Sequence, residues 1–439
     1  MPRRRRLVNL LTARIVAFGG ALVIATIALM FFYLLWVVAP MFAGASVETG
    51  RGYPLDPAQT LLIEANESQE FGLRVTTAGE IDLFDLASGE LRERVDMGRR
   101  LRGAQRIADQ TGSYALQDAS GGITFVQAVY PVSFDGENRI IRPMLQYLFE
   151  PHWHPAGDAH AFDVYSRPLQ LRVATLSGRT LIIDHFRDAE PGFALETPSR
   201  AQHQLRRDYD QLFFGPRGQW LYLISDDGAV EVLDIARPEQ PTELHAGRLV
   251  PEGARINAVA PLLGRNSLLI ADAHGGIAQW FMVRSEFGWR LQQIREFHLE
   301  AAATHIIPEP RRKGFAVIDA ANQLHLLYTT SRRHLASHPM AAGDVATASI
   351  APRADLLLTA AADGSAQTYR LRNAHPEISW STLWSKVWYE GYPEPVYSWQ
   401  SSAADTDFEP KFSLTPLLFG TLKGAFYAML FAVPIAVMG

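Results

Sequence analysis

Residues Gly79 to Leu86 read GEIDLFDL, and Gly228 to Ile235 read GAVEVLDI. Apolar residues stand at Ile81, Leu83, Phe84 and Leu86 in the first and at Val230, Val232, Leu233 and Ile235 in the second, and Asp85 corresponds to Asp234. Five further segments share this form: GGITFVQA from Gly121, GRTLIIDH from Gly178, GGIAQWFM from Gly275, NQLHLLYT from Asn322 and GSAQTYRL from Gly364. Each follows a β-rich run, in chain order FGLRVT, SYALQD, LQLRVA, WLYLIS, SLLIAD, GFAVID and DLLLTA. The residue between the two runs is Gly six times and Asn once, the two that best tolerate positive φ, so each pair reads as a β-hairpin.

Successive turn residues are separated by 42, 57, 50, 47, 47 and 42 positions. A repeat of about 40 to 50 residues built on a β-hairpin is the mark of a propeller blade, a four-stranded sheet, whereas solenoid repeats are shorter or helical. The chain is therefore mainly β, with a seven-bladed β-propeller over residues 50–378. An irregular β-sandwich is the alternative, but sandwiches do not repeat one hairpin at this period. The longest interval contains Pro131 to Pro155 and predicts an enlarged loop. A closed ring needs a strand to cover its last edge, expected from residues near Leu61 or from those after Trp380.

With 439 residues, 48% hydrophobic and 20% charged, the chain has the composition of a folded protein. It has no cysteine, which excludes disulfides, thiolate metal sites and a cysteine nucleophile. The formal net charge is -5; Arg3, Arg4, Arg5, Arg6 and Arg14 are positive, and without them the remainder carries -10. An acidic body of this kind excludes a nucleic-acid groove, which needs clustered Lys and Arg against phosphates.

From Ile15 to Ala39 the chain has no charged residue, long enough at about 1.5 Å per residue to cross a ~30 Å hydrocarbon core. Residues 15–40 thus read as a transmembrane helix, with Tyr33 and Trp36 near its distal end and Pro40 as its stop. The basic segment 1–14 keeps the N-terminus cytoplasmic under the positive-inside rule and sends the propeller to the far side. A cleaved signal peptide ending at Ala43-Gly44-Ala45 is the competing reading, and the apolar run is too long for a signal h-region. At the other end, Phe412 to Gly439 contains one charge, Lys423. The uncharged stretch after it has 16 residues, short of the ~20 of a full span, so the chain is expected to stop inside a membrane segment.

No motif assigns a catalytic residue, a cofactor or a metal. His152, His154 and His160, around Trp153, are the nearest approach to a metal cluster, but zinc requires three or four ligands with supporting partners, and a polar loop explains them. Asp226-Asp227-Gly228 has the look of a calcium loop and lacks its remaining oxygen ligands; an Asp before a turn glycine is hairpin chemistry. There is neither a G-x-S-x-G elbow nor a P-loop, so the chain is not itself an ATPase. Trp380, Trp384, Trp388, Tyr389, Tyr392, Tyr397 and Trp399 form an aromatic connector over 379–411. The i, i+4, i+8 spacing of its first three tryptophans aligns them if the segment is helical. Propeller packing and a membrane-interface belt are the two roles open to it.

Ser413 to Gly439, SLTPLLFGTLKGAFYAMLFAVPIAVMG, resembles the opening of the permease domain of phosphate-type ABC transporter permeases, the PstC family. The matching positions are Phe419, Gly420, Thr421, Leu422 and Lys423, then the apolar run to Pro434. Long members of that family carry a propeller-like insertion between their first two helices, and the order found here is similar throughout. The resemblance implies the N-terminal part of an inner-membrane permease subunit for phosphate, with 412–439 opening the permease domain and later helices beyond Gly439. It also implies a second permease subunit, a separate ATP-binding subunit that hydrolyses ATP, and a periplasmic phosphate-binding protein. The propeller would then be a periplasmic recognition or regulatory platform. A membrane-anchored propeller scaffold or sensor of the envelope, not a transporter, is the alternative, and an enzyme would need a convergent polar site that the sequence does not display.

Overall fold

The computed structural model describes residues 2–108, 110–149, 153, 158–341, 343–404 and 408–438. They form two compact units, 1–44 and 45–439.

The first unit is one helix, α1 (Pro2–Val38), followed by a 3-10 turn over Ala39–Phe42 that contains Pro40. It starts earlier than residue 15, because Pro2 suits the first helical position and no breaker separates the arginines from the apolar run. Leu11–Phe42 is long and apolar enough to cross a membrane, and none of that stretch is buried. The Thr26 hydroxyl donates to the Leu22 carbonyl at 2.8 Å, which satisfies it without a partner outside the helix.

The second unit contains seven four-stranded antiparallel sheets. Each is a blade, its strands lettered a to d from the channel outward. Blades 1 to 6 span residues 60–96, 101–147, 161–204, 211–248, 256–298 and 303–339, and blade 7 takes strands a to c from 345–372. The turn residues Gly79, Gly121, Gly178, Gly228, Gly275, Asn322 and Gly364 each fall between strands b and c of a different blade, as the repeat predicts. Gly79 shows why glycine is needed: its φ is +94°, and an added Cβ would strike the Arg99 carbonyl. Asn322 fills the same position at φ 59°.

Aspartates at the end of strand b clamp these turns. The Oδ1 atoms of Asp118, Asp272 and Asp319 each accept two backbone N–H groups, from Ser120 and Gly122, His274 and Gly276, and Ala321 and Gln323, at 2.7–3.0 Å. In the Asp226-Asp227-Gly228 turn, Asp227 accepts the Ala229 N–H and pairs with Arg207 at 2.9 Å, so its oxygens serve the hairpin.

Seven apolar clusters hold the ring together, one at each blade interface. The period-2 alternation of a strand makes this arrangement possible. In blade 4, Leu221, Leu223 and Leu233 face blade 3, while Tyr222, Ile224, Val230 and Val232 face blade 5. A blade is therefore apolar on both faces, which a single-faced sandwich sheet is not.

The closing strand is neither of the two expected. Ser46–Pro54 supplies strand d of blade 7, antiparallel to Ser365–Arg372, from Ser46 opposite Arg372 to Pro54 opposite Ser365. Leu61 belongs to strand a of blade 1, and the residues after Trp380 lie in the connector. The closing sequence SVETGRGYP is an outer strand, mostly exposed, so it carries none of the apolar alternation that marks the inner hairpins. The ring thus begins at Ser46 and its last strand ends at Arg372. The enlarged segment of blade 2 is itself ordered as a hairpin, Val132–Asp135 with Asn138–Ile141, before strand d at Met144–Tyr147.

Candidate functional site: the connector clasp and the ring mouth

Antiparallel blades place the a–b and c–d connections at one end of the ring, called here the a–b end, and the b–c and d–a connections at the other. Ser46 lies opposite Arg372, so the chain enters and leaves the ring at the a–b end.

From Arg372 the connector crosses the loops of blade 6 at that end. Arg312 donates to the Asn373 carbonyl at 2.7 Å, Ser331 to that of Pro376 at 2.7 Å and Arg333 to that of Ile378 at 3.0 Å. Ser379 and Thr382 then form a capping box for α2 (Trp380–Trp384), which ends at an extended Ser385. Trp380, Trp384 and Trp388 therefore do not share a helical face. Trp388 lies past the helix end, packs edge-on against Phe281 of blade 5 and donates its indole N–H to the Tyr392 carbonyl at 2.9 Å. Within the aromatic stretch, Trp388 and Tyr389 are packed in, and Trp380, Trp384, Tyr397 and Trp399 are exposed.

Beneath the connector lies a chain of buried charges. The Glu390 carboxylate accepts Lys313 Nζ at 2.7 Å and the Ser267 hydroxyl at 2.5 Å. Ser267 Oγ accepts from Gln279 at 2.9 Å, whose carbonyl oxygen accepts from Arg295 at 2.7 Å, and Arg295 also donates to the Trp388 carbonyl. Lys313 Nζ makes a second bond to the Leu263 carbonyl at 2.6 Å, and its side chain is 2% exposed. Glu409 accepts the Thr330 hydroxyl, and Lys411 lies over the rings of Tyr389, Tyr392 and Phe408 while bonding Gln400 at 2.9 Å. Ring cations thus meet connector acceptors, Lys313 at Glu390 and Arg295 at the Trp388 carbonyl, and connector carboxylates meet ring hydroxyls at Ser267 and Thr330.

Burial, and then the negative charge of Glu390, pushes the Glu409 carboxyl up to about 7 against the pull of Arg295, Lys313 and Lys411. Its folded value lies above its unfolded one, so the folded state binds more protons between about 4.3 and 7. The stabilisation is complete below that window and is lost as pH rises through about 7. Hydrogen exchange in residues 373–414, corrected for intrinsic rate, should accordingly be faster at pH 8 than at pH 5.5. The Glu409→Gln variant should abolish the difference; an unchanged pH dependence in that variant would exclude Glu409 as its source.

The connector closes with Trp399–Gln400 paired to Lys411–Phe412, after which the Ser413 N–H bonds Ser398 and the Leu414 N–H bonds the Leu383 carbonyl at 2.8 Å. Helix α3 (Thr415–Met438) begins at the next residue. It takes in the residues on both sides of Lys423, and its 24 residues span about 36 Å, so the count of 16 uncharged residues understates it. None of its described residues is buried. Phe419 and Leu422 are exposed along it, a Cβ added at Gly420 would meet nothing beyond the helix's own backbone, Thr421 donates to the Leu417 carbonyl at 2.8 Å, Lys423 lies 5.9 Å from the Tyr427 ring, and Pro434 sits inside the helix.

Next to the clasp, the channel mouth at the a–b end opens into a cavity of about 810 Å³ bounded by the a–b loops of blades 1, 2, 5, 6 and 7. Its arginines meet carboxylates: Arg106 with Glu64 at 3.1 Å, Arg311 with Glu67 at 2.9 Å, and Arg265 with Asp163. A second polar chain, Asp319 to His325 at 3.0 Å and His325 to Ser337 at 3.0 Å, ties the blade 6 turn to its outer strand. Of the histidine cluster, His152 and His154 lie outside the described residues, and His160 bonds the Tyr209 carbonyl at 2.9 Å. Among the described residues no group of three or more His, Asp or Glu is placed to hold a metal ion.

The ring resembles known propellers. Raptor from Chaetomium thermophilum superposes with a TM-score of 0.54 at 15% identity, over 75% of this chain and 29% of its own. The Cps50 (Swd1) β-propeller domain of Myceliophteria thermophila gives 0.52 at 10% identity, over 74% of this chain and 99% of that domain. This chain thus spans less than a third of the Raptor chain. At these identities the likeness is one of fold, a WD40-like seven-bladed propeller. No protein-family model matches the sequence, and no curated protein matches it.

Proposed function

We propose that this chain is the N-terminal part of an inner-membrane ABC transporter permease subunit for phosphate, with the propeller on the periplasmic side as a recognition or regulatory platform. The observation that carries the reading is the order of elements. An apolar helix precedes a ring whose entry and exit adjoin, and a clasped connector leads into a second apolar helix bearing Phe419 to Lys423 and Pro434. A ring entered and left at one end can be inserted between two successive spans without contributing strands to the bilayer. Its partners would be a second permease subunit, an ATP-binding subunit and a phosphate-binding protein. The acidic excess of the ring disfavours direct capture of an anion, so a protein is the ligand that suits it.

Two measurements test this. A reporter inserted at Gly228 should be active in its periplasmic format alone, and loss of the gene should remove high-affinity phosphate uptake from cells grown at low phosphate. Cytoplasmic reporter activity would overturn the topology. Uptake that persists unchanged would overturn the substrate.

A further inference from the structure

The exposed hydrophobic residues of the ring and connector are not spread over the surface. Phe287 (85% exposed) sits on the c–d turn of blade 5, Phe193 (62%) on that of blade 3, and Phe134 (70%) on the hairpin inserted between strands c and d of blade 2. Leu169 (52%) stands at the a–b turn of blade 3, and Trp380 and Trp384 project from the connector that covers the same end. Among the described residues of the second unit outside α3, every exposed large hydrophobic belongs to the a–b end or the connector except Tyr147, on the flank of blade 2. None lies on the b–c or d–a turns. Exposed arginines occur at both ends: Arg167, Arg217, Arg311 and Arg353 stand at the a–b turns of blades 3, 4, 6 and 7, and Arg179, Arg206 and Arg255 on b–c or d–a turns, so the hydrophobic residues are what set the a–b end apart.

Single exposed hydrophobics are ordinary, but a set confined to one end of a ring, at the tips of separate loops and mixed with arginine, marks an interaction surface. Aromatic loop tips with arginines among them suit the interface of a phospholipid bilayer, where rings enter the headgroup layer and guanidinium groups meet lipid phosphates. The start of α3 indicates the depth. The Leu414 N–H is bonded to Leu383, next to exposed Trp384, and the span begins one residue later. Residues at the head of a span lie at the interface, so the connector brings its tryptophans there as well.

We propose that the a–b end of the propeller is a membrane-docking face that rests on the phospholipid headgroups, held by its loop-tip aromatics and arginines. The proposal rests on the reading of α3 as a membrane span. It assigns these loops to lipid and leaves the b–c end free for a protein partner.

The cysteine-free chain allows a direct test. The full chain would be reconstituted into nanodiscs of phosphatidylethanolamine with a minority of phosphatidylglycerol, carrying a fluorophore on one introduced cysteine. Ala87→Cys and Glu286→Cys place the label on exposed c–d turns, and Ala78→Cys and Ala273→Cys place it on exposed b–c turns. Nitroxide on the lipid headgroup should quench the first pair severalfold more than the second. Adding Phe193→Ser, Phe287→Ser, Arg217→Glu and Arg353→Glu should lower quenching at Glu286→Cys while incorporation into nanodiscs is kept. Equal quenching at the two ends, in chains that do incorporate, would overturn the docking face and leave the span reading intact. A chain that fails to incorporate would overturn both.

Discussion

The Lys313→Ala variant is expected to lose about 3–5 kcal/mol, because it leaves the Glu390 carboxylate buried without its cation. The Lys313 side chain is 2% exposed, so water cannot replace the lost partner without opening the clasp. The effect should be local before it is global: residues 373–414 should become protease-sensitive in the full chain under conditions where blades 1 to 3 remain protected. Glu390→Ala should behave similarly, since it strands the ammonium group. The pair differs from ordinary packing in one respect that a third variant exposes. Replacing both residues, Lys313→Met with Glu390→Leu, removes both desolvation penalties at once and should recover most of the stability. If the double variant were as unstable as the two single losses added together, the ion pair would not be the source of the effect.

Tyr53→Ala is expected to cost a comparable ~3–5 kcal/mol, the range for truncating a buried aromatic. Tyr53 lies on the closing strand, in the cluster where blade 7 meets blade 1, with its ring against Phe84 and its hydroxyl donating to the Leu86 carbonyl. Removing it loosens the seam between the first and last blades as well as the strand that covers the last edge. Beyond the loss of midpoint in denaturant, the variant should associate with itself, since an uncovered Ser365–Arg372 edge offers free backbone groups. Tyr53→Phe should cost only about 1 kcal/mol, the net worth of the hydrogen bond. Equal losses for the two variants would mean that the hydroxyl, rather than the ring, holds the seam.

Much of the fold was legible because blades are built from local hairpins. Gly228 and the seven residues after it carry turn chemistry and alternation in one short segment, and the same signal recurs at Gly79, Gly121, Gly178, Gly275, Asn322 and Gly364. Outer strands were less legible. Ser46–Pro54 pairs with residues more than 300 positions away, and its mostly exposed surface places no demand for apolar alternation on its sequence. The spacing of the three tryptophans would align them only on a helix longer than the one that forms, since Ser385 is extended and Trp388 packs against Phe281 instead.

The clasp could not have been found by motif. Glu390, Glu409, Arg295, Lys313 and Lys411 are scattered over more than a hundred residues, and nothing near any of them in sequence distinguishes it from a surface charge. The docking face is similar, since Phe134, Phe193 and Phe287 share one end only because their turns occupy equivalent places in different blades. By itself, the sequence determined the number of blades, the positions of their central turns and the two apolar helices, since each rests on composition or periodicity within a few consecutive residues. The tertiary structure alone decided which strand closes the ring, which charges are buried together and which end carries the exposed aromatics, because those depend on long-range juxtaposition and on the desolvation that comes with it.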